Sequence, residues 1–490
     1  MAYVNLFGEY FSGSWIGSVD DAGASLTMLF NGEAIFGVVD AAGGGIAAQR
    51  AQEIARRSTA LGAVAQVHSV GDASLGVVRL KGLAAKSKVT CQSRPITAVA
   101  CGELIDRRDS GTLYRLEPER SAFLEGGFSS DGEAFLERVD GTFAAAIWNQ
   151  SAQQMTLICD WRADCRMYYA VEGDQFVFSS WLQLLGGRSR KIDPQSVAEF
   201  LRFLYVAPPQ TIYTGISSVE PEHYIAARQG MVQSRRLTRG CDWSSTKPAN
   251  SQKNENEVDQ FQFLFERAVA RRIGDRCAGV FLSSGVDSAA IMAACAKLNP
   301  GRVKAFTIGF DNVDLDETNA ARSLANQLGI EHHELRFDLH QYRESFDRVV
   351  SGFDQPFGDP AGLPLLLASD VIAGNVDVIT GGTGGDDLFG APIPRHLWFS
   401  KVIAARLPPF ARRQSAQLFG LCGKGRLFDF EDLQELFVTW PGWTKGELSE
   451  LFGKSISFDG SGFYRKFFAY RNRDAQTLFD AMGVFPPDDC

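Results

Sequence analysis

The segment Phe281-Leu282-Ser283-Ser284-Gly285-Val286-Asp287-Ser288-Ala289 carries the most chemically loaded spacing in the chain. An apolar run leads into it and a helical pattern leads out. Backbone N–H groups and the helix dipole meet at such a junction and make an anion site. Gly285 lets the backbone approach a phosphate closely, and Ser283 and Ser288 add hydroxyl donors. Bare phosphate would repel Asp287; its carboxylate makes sense when it binds Mg²⁺ riding on a pyrophosphate group. The Gly-Lys-Ser/Thr ending of a Walker A loop is missing. The competing reading is a strand–turn–helix junction in which Ser and Asp serve only as caps.

A second segment, Thr380-Gly381-Gly382-Thr383-Gly384-Gly385-Asp386-Asp387-Leu388-Phe389-Gly390, ends an apolar run in glycines and then presents two carboxylates. Ligands of open α/β sheets bind at the C-terminal edge of the strands. With both loops at that edge, Asp287 and Asp386 could share one Mg²⁺ with nucleotide phosphates. Solvated acids on a turn are the plainer alternative, and they leave the run of glycines unexplained.

Periodicity supplies the elements that must hold these loops. Val258, Phe261, Leu264, Phe265, Ala268 and Val269 recur at helical spacing. Strands are then expected at Ala278–Leu282, Val303–Phe310, His332–Phe337 and Val376–Thr380, with helices at Ala289–Leu298 and Glu317–Leu328 between them. Such alternation predicts an α/β parallel sheet with crossovers, and the tail after Pro392 reads as helical and irregular. Ahead of it, residues 244–256 are polar and contain no apolar side chain larger than Ala249, which is linker composition. They separate a first domain, 1–243, from a second, 257–490. In the first, short runs bounded by Gly, Asp or Ser predict stacked antiparallel sheets: Ala24–Phe30, Gly76–Leu80, Thr97–Cys101, Phe143–Trp148, Met155–Asp160 and Gln175–Ser179. Helices are expected at Ile46–Thr59 and Pro194–Leu204. The first domain is therefore α+β.

Composition bounds the function. With 45% hydrophobic and 22% charged residues, the 490-residue chain is globular rather than fibrous or disordered. A net charge of −9 argues against nucleic acid as a partner. No apolar run approaches the roughly 18 residues that span a bilayer; Leu363 to Gly374 is broken by Asp370. Met1-Ala2-Tyr3-Val4-Asn5 has neither a basic region nor an apolar signal core, so a soluble, cytoplasmic protein without membrane contact is expected. The nine cysteines include no Cys-x-x-Cys, and Cys277 and Cys295 read as small buried hydrophobes. His332-His333 reads as a surface feature at a strand start, and zinc is not expected.

The first loop resembles the Ser-Gly-Gly-x-Asp-Ser loop of the ATP pyrophosphatase group. That group includes asparagine synthetases, GMP and NAD synthetases, argininosuccinate synthetases and tRNA thiolases. Ser284 stands where the second small residue is usually Gly. Three downstream blocks single out the asparagine synthetases. Ala305-Phe306-Thr307-Ile308-Gly309-Phe310, then Leu315-Asp316-Glu317, resembles their second strand and the acidic start of the next helix. Phe353-Asp354-Gln355-Pro356-Phe357-Gly358-Asp359-Pro360 resembles their Asp-Glu-Pro…Asp-Pro block, and 380–390 their Ser-Gly-Glu-Gly-x-Asp-Glu-Leu-Phe-Gly loop. The resemblance implies ATP and Mg²⁺ as cofactors. It implies ATP contacts from Leu282, Ser283, Ser284, Gly285, Val286, Asp287, Ser288, Ile308, Gly381 and Gly382, and metal ligation by Asp287 and Asp386.

In the first domain, Gly141-Thr142-Phe143-Ala144-Ala145-Ala146-Ile147-Trp148, Asp160–Tyr169 and Phe176–Ser180 resemble class II glutamine amidotransferases, which implies an N-terminal-nucleophile-like fold. Those enzymes use an N-terminal cysteine as nucleophile and its own amine as base. Here Ala2 follows Met1, no cysteine precedes Cys91, and Cys101-Gly102 stands where the oxyanion-hole Asn-Gly is expected. Asp131-Gly132-Glu133 keeps the acids of a further block. Glutaminase activity is therefore not expected, and Cys101 reads as a core thiol at a strand end. Thr383 stands where the family has Glu or Tyr, and none of Lys401, Lys424, Lys445, Lys454 and Lys466 falls in a matching motif. No catalytic residue is assigned.

The implied function is an ATP-dependent amide-forming ligase that activates a carboxylate as an acyl-adenylate. Ammonia or a substrate amine would be supplied directly, as in the β-lactam synthetases and lasso-peptide cyclases, which keep this architecture with a dead glutaminase domain. The carboxylate substrate is a small molecule or a peptide, and a homodimer or a partner protein stays open. The alternative is a non-catalytic or partner-dependent ATP-binding subunit.

Overall fold

A computed structural model describes residues 33–41, 45–60, 62–80, 95–108, 112–115, 118–161, 163–186, 190–238, 255–310, 316–383, 385, 403–420, 427–428, 442–458 and 461. The expected strand Ala24–Phe30, Asp386 and nearly all of the expected linker lie outside these residues. The linker's last two residues belong instead to a helix, Glu255–Ile273.

In chain order the first part comprises β1 (Glu33–Asp40), α1 (Ile46–Ala60), β2 (Ala63–Val70), β3 (Ala73–Leu80), β4 (Ile96–Asp106), β5 (Leu113–Tyr114) and α2 (Glu119–Asp131). After a 3-10 turn come β6 (Val139–Asn149), β7 (Gln154–Cys159), β8 (Tyr168–Glu172), β9 (Gln175–Ser179), α3 (Leu182–Leu185), α4 (Pro194–Phe203), β10 (Ser217–Ser218), β11 (His223–Arg228) and β12 (Met231–Arg236). The strands form two six-stranded antiparallel sheets, ordered β10-β8-β9-β1-β3-β2 and β12-β11-β7-β6-β4-β5.

Alternation along the strands explains the layering. On β4, Val99 and Cys101 point between the sheets, with Leu75, Trp148, Leu157 and Phe178. Ile96, Ala98, Ala100 and Leu104 point the other way, onto Leu124 and Phe128 of α2. The first sheet has the same two faces, its outer one covered by Ala47, Ala51 and Ile54 of α1. The result is a four-layer α/β/β/α sandwich in which β4 is buried along its whole length. Burying one large aromatic such as Trp148 contributes about 2–3 kcal/mol. Gly102 and Gly141 pass each other at φ +91° and +115°, and a Cβ on either would meet the opposite carbonyl at 2.2 or 2.1 Å. No other residue type fits there.

The second part continues with α5 (Glu255–Ile273), β13 (Ala278–Phe281), α6 (Val286–Leu298), β14 (Val303–Gly309), α7 (Thr318–Gln327), β15 (Glu331–Arg336), α8 (Leu339–Gly352), α9 (Gly362–Ile372), β16 (Val378–Gly381), α10 (Pro409–Gly420) and α11 (Lys445–Phe452). Its sheet is parallel, ordered β15-β14-β13-β16. Ala278, Val280, Leu282, Met292 and Cys295 form its core with Val303 and Ala305. Cys277 is half-exposed rather than buried, because it precedes β13 and its N–H is held by Asp377. His332 and His333 stand at the start of β15, as expected, and both are half-buried. His332 shares a hydrogen bond with Thr307 at 2.8 Å, and His333 stacks on Phe306 with centroids 5.0 Å apart. No helix among the described residues is long and apolar enough to cross a membrane.

The two parts pack on each other through named contacts. The Leu182 N–H donates to Asp354 Oδ1 at 2.9 Å, the Ile212 N–H to Gln355 Oε1 at 2.8 Å, and the Gly358 N–H to the Leu204 carbonyl at 2.9 Å. The block 353–360 is thus a clamp between the parts. Arg276 reaches Glu103 at 3.0 Å, and Leu448 of α11 joins Ala198 and Phe203 of α4 in a small core. Burial pushes the Asp354 carboxyl up to about 7, against the pull of the backbone donors and Arg166. A carboxyl raised in the folded state binds its proton there at pH values where the unfolded chain has lost it. Stability therefore falls as pH rises from about 4 to about 7 and levels off above. Asp354→Asn keeps an acceptor for the Leu182 N–H and cannot ionise. Urea melts from pH 5 to 8 are expected to be flatter for this variant than for wild type; parallel pH profiles would remove Asp354 as the cause.

Candidate functional site

β13 lies inside its sheet, with β14 on one side and β16 on the other. Because the strands are parallel, all three release their loops at one edge. Phe281 stands beside Phe306 and Gly381 in the ladders. The chain leaves β14 toward β15 and returns across the sheet to β16, so the strand order reverses at β13 and opens a crevice there.

The first loop is short because α6 begins at Val286, three residues before the expected start. Val286, Asp287 and Ser288 thereby form the first helical turn, whose N–H groups have no partner within the helix. Ser288 is buried and its hydroxyl organises the loop: Oγ accepts from the Ser283 N–H at 3.1 Å and lies 2.9 Å from Ser283 Oγ. The Gly285 N–H donates to Ser283 Oγ at 3.1 Å. Gly285 has φ −75°, so glycine is used there for clearance, with a Cβ reaching within 3.2 Å of Ser283 Oγ. Ser284 is exposed, and its N–H donates to Glu317 Oε2 at 3.0 Å. Val286 is also exposed, which leaves the helix start open to solvent.

The second loop runs directly over this turn. A Cβ on Gly382 would lie 2.6 Å from the Ser288 nitrogen, and one on Gly385 2.3 Å from Asp287 Cγ. The glycine run thus lets one backbone lie on another. Gly381 has ordinary room, 3.4 Å from Phe281 Cβ. The structure brings Leu282, Ser283, Ser284, Gly285, Val286, Asp287, Ser288, Gly381 and Gly382 to one crevice. Ile308 sits half-buried at the neighbouring strand end. Asp386 lies outside the described residues, one position beyond Gly385.

Two residues bracing this edge had no role in the sequence reading. Thr307 donates to the Leu282 carbonyl at 2.8 Å and so ties β14 to the residue that follows β13. Burial lowers His332 below its ordinary value, which keeps the ring neutral where it meets Thr307. Glu317 was legible only as part of an acidic helix start. Its neighbour Asp316 is held down to about 2 by Arg336, 2.7 Å away. The arrangement can bind a polyanion at an oriented helix end, with one carboxylate, Asp287, placed for a hard cation.

In the sandwich, Cys101 is buried, with Cys165 Sγ at 3.7 Å and Ser180 Oγ at 3.5 Å. The hydrogen bond from Cys165 lowers the Cys101 thiol, and donating it raises Cys165. Cys101 is a core thiol, as expected. Glu133 is engaged by the Tyr224 hydroxyl and Arg235, so the retained acid is a structural partner.

The asparagine synthase family model matches residues 260–442, and the glutamine amidotransferase domain model matches 124–238. The chain carries an asparagine synthase domain and a glutamine amidotransferase-like domain, an asparagine synthetase-like arrangement. It is 25% identical over 261 residues to asparagine synthetase [glutamine-hydrolyzing] 1 of Bacillus subtilis, covering 53% of this chain and 40% of that one. With a putative asparagine synthetase of Methanocaldococcus jannaschii the figures are 26% over 342 residues, 64% and 65%. With amidase chyE of Penicillium rubens they are 25% over 365 residues, 66% and 53%. The chain thus spans roughly two-fifths to two-thirds of the length of these three relatives.

Gly382→Ala and Gly385→Ala test the packing of the two loops. The Gly382 Cβ would force the second loop off the α6 backbone and the Gly385 Cβ would push the Asp287 carboxylate aside, so both variants are expected to weaken Mg-ATP binding while keeping a wild-type far-ultraviolet spectrum. Gly381→Ala, with its ordinary clearance, is the control and keeps wild-type binding. Equal affinities in all three would disconnect the second loop from the site.

Proposed function

We propose that this protein is an ATP-dependent amide-forming ligase of the asparagine synthetase type, working without glutamine hydrolysis. The observation that carries the reading is the seating of Gly382 and Gly385 on Ser288 and Asp287 at the C-terminal sheet edge. Leu282, Ile308, Gly381 and Gly382 would frame the adenine. The backbone from Ser283 to Ser288 would hold the β- and γ-phosphates, leaving the α-phosphorus facing a bound carboxylate. That carboxylate attacks the α-phosphorus, pyrophosphate leaves, and an amine then displaces AMP from the acyl group.

The donor set fits Mg²⁺, since a hard cation takes carboxylate and phosphate oxygens, and Gly385, with no Cβ, lets the facing loop pass against the Asp287 carboxylate without displacing it. Asp287 would hold it with Asp386. When bound, it would neutralise charge on the departing pyrophosphate. The helix start orients the leaving group and the glycine loop covers it. Burial of Cys101 against Cys165 and Ser180 supports direct supply of the amine, because a thiol so enclosed is poorly placed to attack an amide.

Calorimetry of Mg-ATP binding tests the site: Asp287→Asn is expected to weaken it at least about tenfold, as loss of a ligating charge should. Turnover with a productive carboxylate and amine is expected to release AMP and pyrophosphate in equal amounts. Substrate-dependent ADP would refute the mechanism. Tight ATP binding with no pyrophosphate exchange across a wide carboxylate panel would favour a binding subunit instead.

A further inference from the structure

Three successive N–H groups of the first loop have partners, and one of those partners is an acid. The Ser283 N–H donates to Ser288 Oγ and the Gly285 N–H to Ser283 Oγ, so the loop's own hydroxyls hold both. The Ser284 N–H, between them, donates to Glu317 Oε2 at 3.0 Å, across 33 positions of sequence. Glu317 stands in the N-cap position of α7, yet its side chain makes no capping bond to its own helix. Asp316 takes that part by accepting from the Thr318 N–H at 3.3 Å, and Asp316 is itself paired with Arg336. Among the described residues no cation is paired with Glu317. Its carboxylate is spent on the loop rather than on its helix or on a basic partner.

Ser284 is exposed, so an incoming anion reaches the same donor. A backbone amide has a single N–H, and a phosphate oxygen that takes it displaces the carboxylate. Two anions at that range also disfavour each other, even in water. We infer that Glu317 competes with the phosphates of the nucleotide for the Ser284 N–H, and so weakens phosphate binding and eases the release of pyrophosphate. This rests on the nucleotide reading of the crevice proposed above. It gives the two acids beside the loop opposite effects. Asp287 favours the phosphates through the cation it would hold, whereas Glu317 opposes them by holding one of their donors. The group it discriminates against is the phosphate chain, not the nucleoside.

Calorimetry on the full-length protein tests the competition, with Mg-ATP, Mg-pyrophosphate and adenosine as probes. Glu317→Ala and Glu317→Gln both remove the charge. Both are expected to bind Mg-ATP and Mg-pyrophosphate on the order of fivefold tighter than wild type. Adenosine, which has no phosphates, binds all three proteins alike. Because the Glu317 side chain caps nothing, both variants are expected to keep the wild-type Tm. Should Glu317→Ala fail to fold, Glu317→Gln, which keeps an acceptor for the Ser284 N–H, carries the test. Variant affinities equal to or weaker than wild type overturn the competition, and weaker ones make Glu317 a metal ligand or a brace of the loop. Mg-ATP binding by wild type then leaves the nucleotide reading standing. A gain for adenosine as large as that for Mg-ATP overturns the competition as well, since the change would then act on the shape of the crevice. Binding of neither phosphate probe by any of the three proteins overturns the nucleotide reading itself, and this inference with it.

Discussion

The candidate site depends on one close approach, the β16 loop laid against the first turn of α6. Atoms at Gly382 and Gly385 come near enough to Ser288 and Asp287 that any side chain there would displace one loop or the other. The rest of the second part makes this contact possible. Parallel pairing aligns Phe281 with Gly381, so both loops start at the same height. Thr307, on β14, fixes the Leu282 carbonyl just past β13 from the opposite side. Without that frame, segments about a hundred residues apart in sequence would have no reason to meet.

The sandwich owes its fold to a small set of positions. Its layers, its buried β4 and the mutual passage of Gly102 and Gly141 need only apolar alternation and two glycines. The interior beside Cys101-Gly102 holds buried thiols and a hydroxyl. Fold and function are separable in this way because packing constrains most strand positions and chemistry only a few.

The two parts are also mechanically joined. Asp354 and Gln355 hold backbone donors of the sandwich, and Glu103 reaches back to Arg276. A motif that reads in sequence as part of a catalytic domain is used here to clamp it. The segment 442–458 adds to the same junction through α11, so the end of the described chain braces α4 rather than the crevice.

Local signals determined much of this by themselves. Period-two and helical alternation marked α1, α4, β9 and the strand–helix succession of the second part to within a few residues, because each element buries one face that its own side chains define. The phosphate-type loop was legible because its Ser, Gly and Asp sit at a strand-to-helix junction whichever way the chain packs. The start of α6 was read late, since Val286 and Asp287 are poor helix signals and only the capping geometry extends the first turn to them. The contacts of His332 and His333 were not legible, because their partners Thr307 and Phe306 lie one strand away and about 25 residues back. Glu317 on the Ser284 N–H and the Asp354 clamp were both invisible in sequence. Each joins residues far apart in the chain, and only tertiary packing decides which charge is buried, against what, and at what distance.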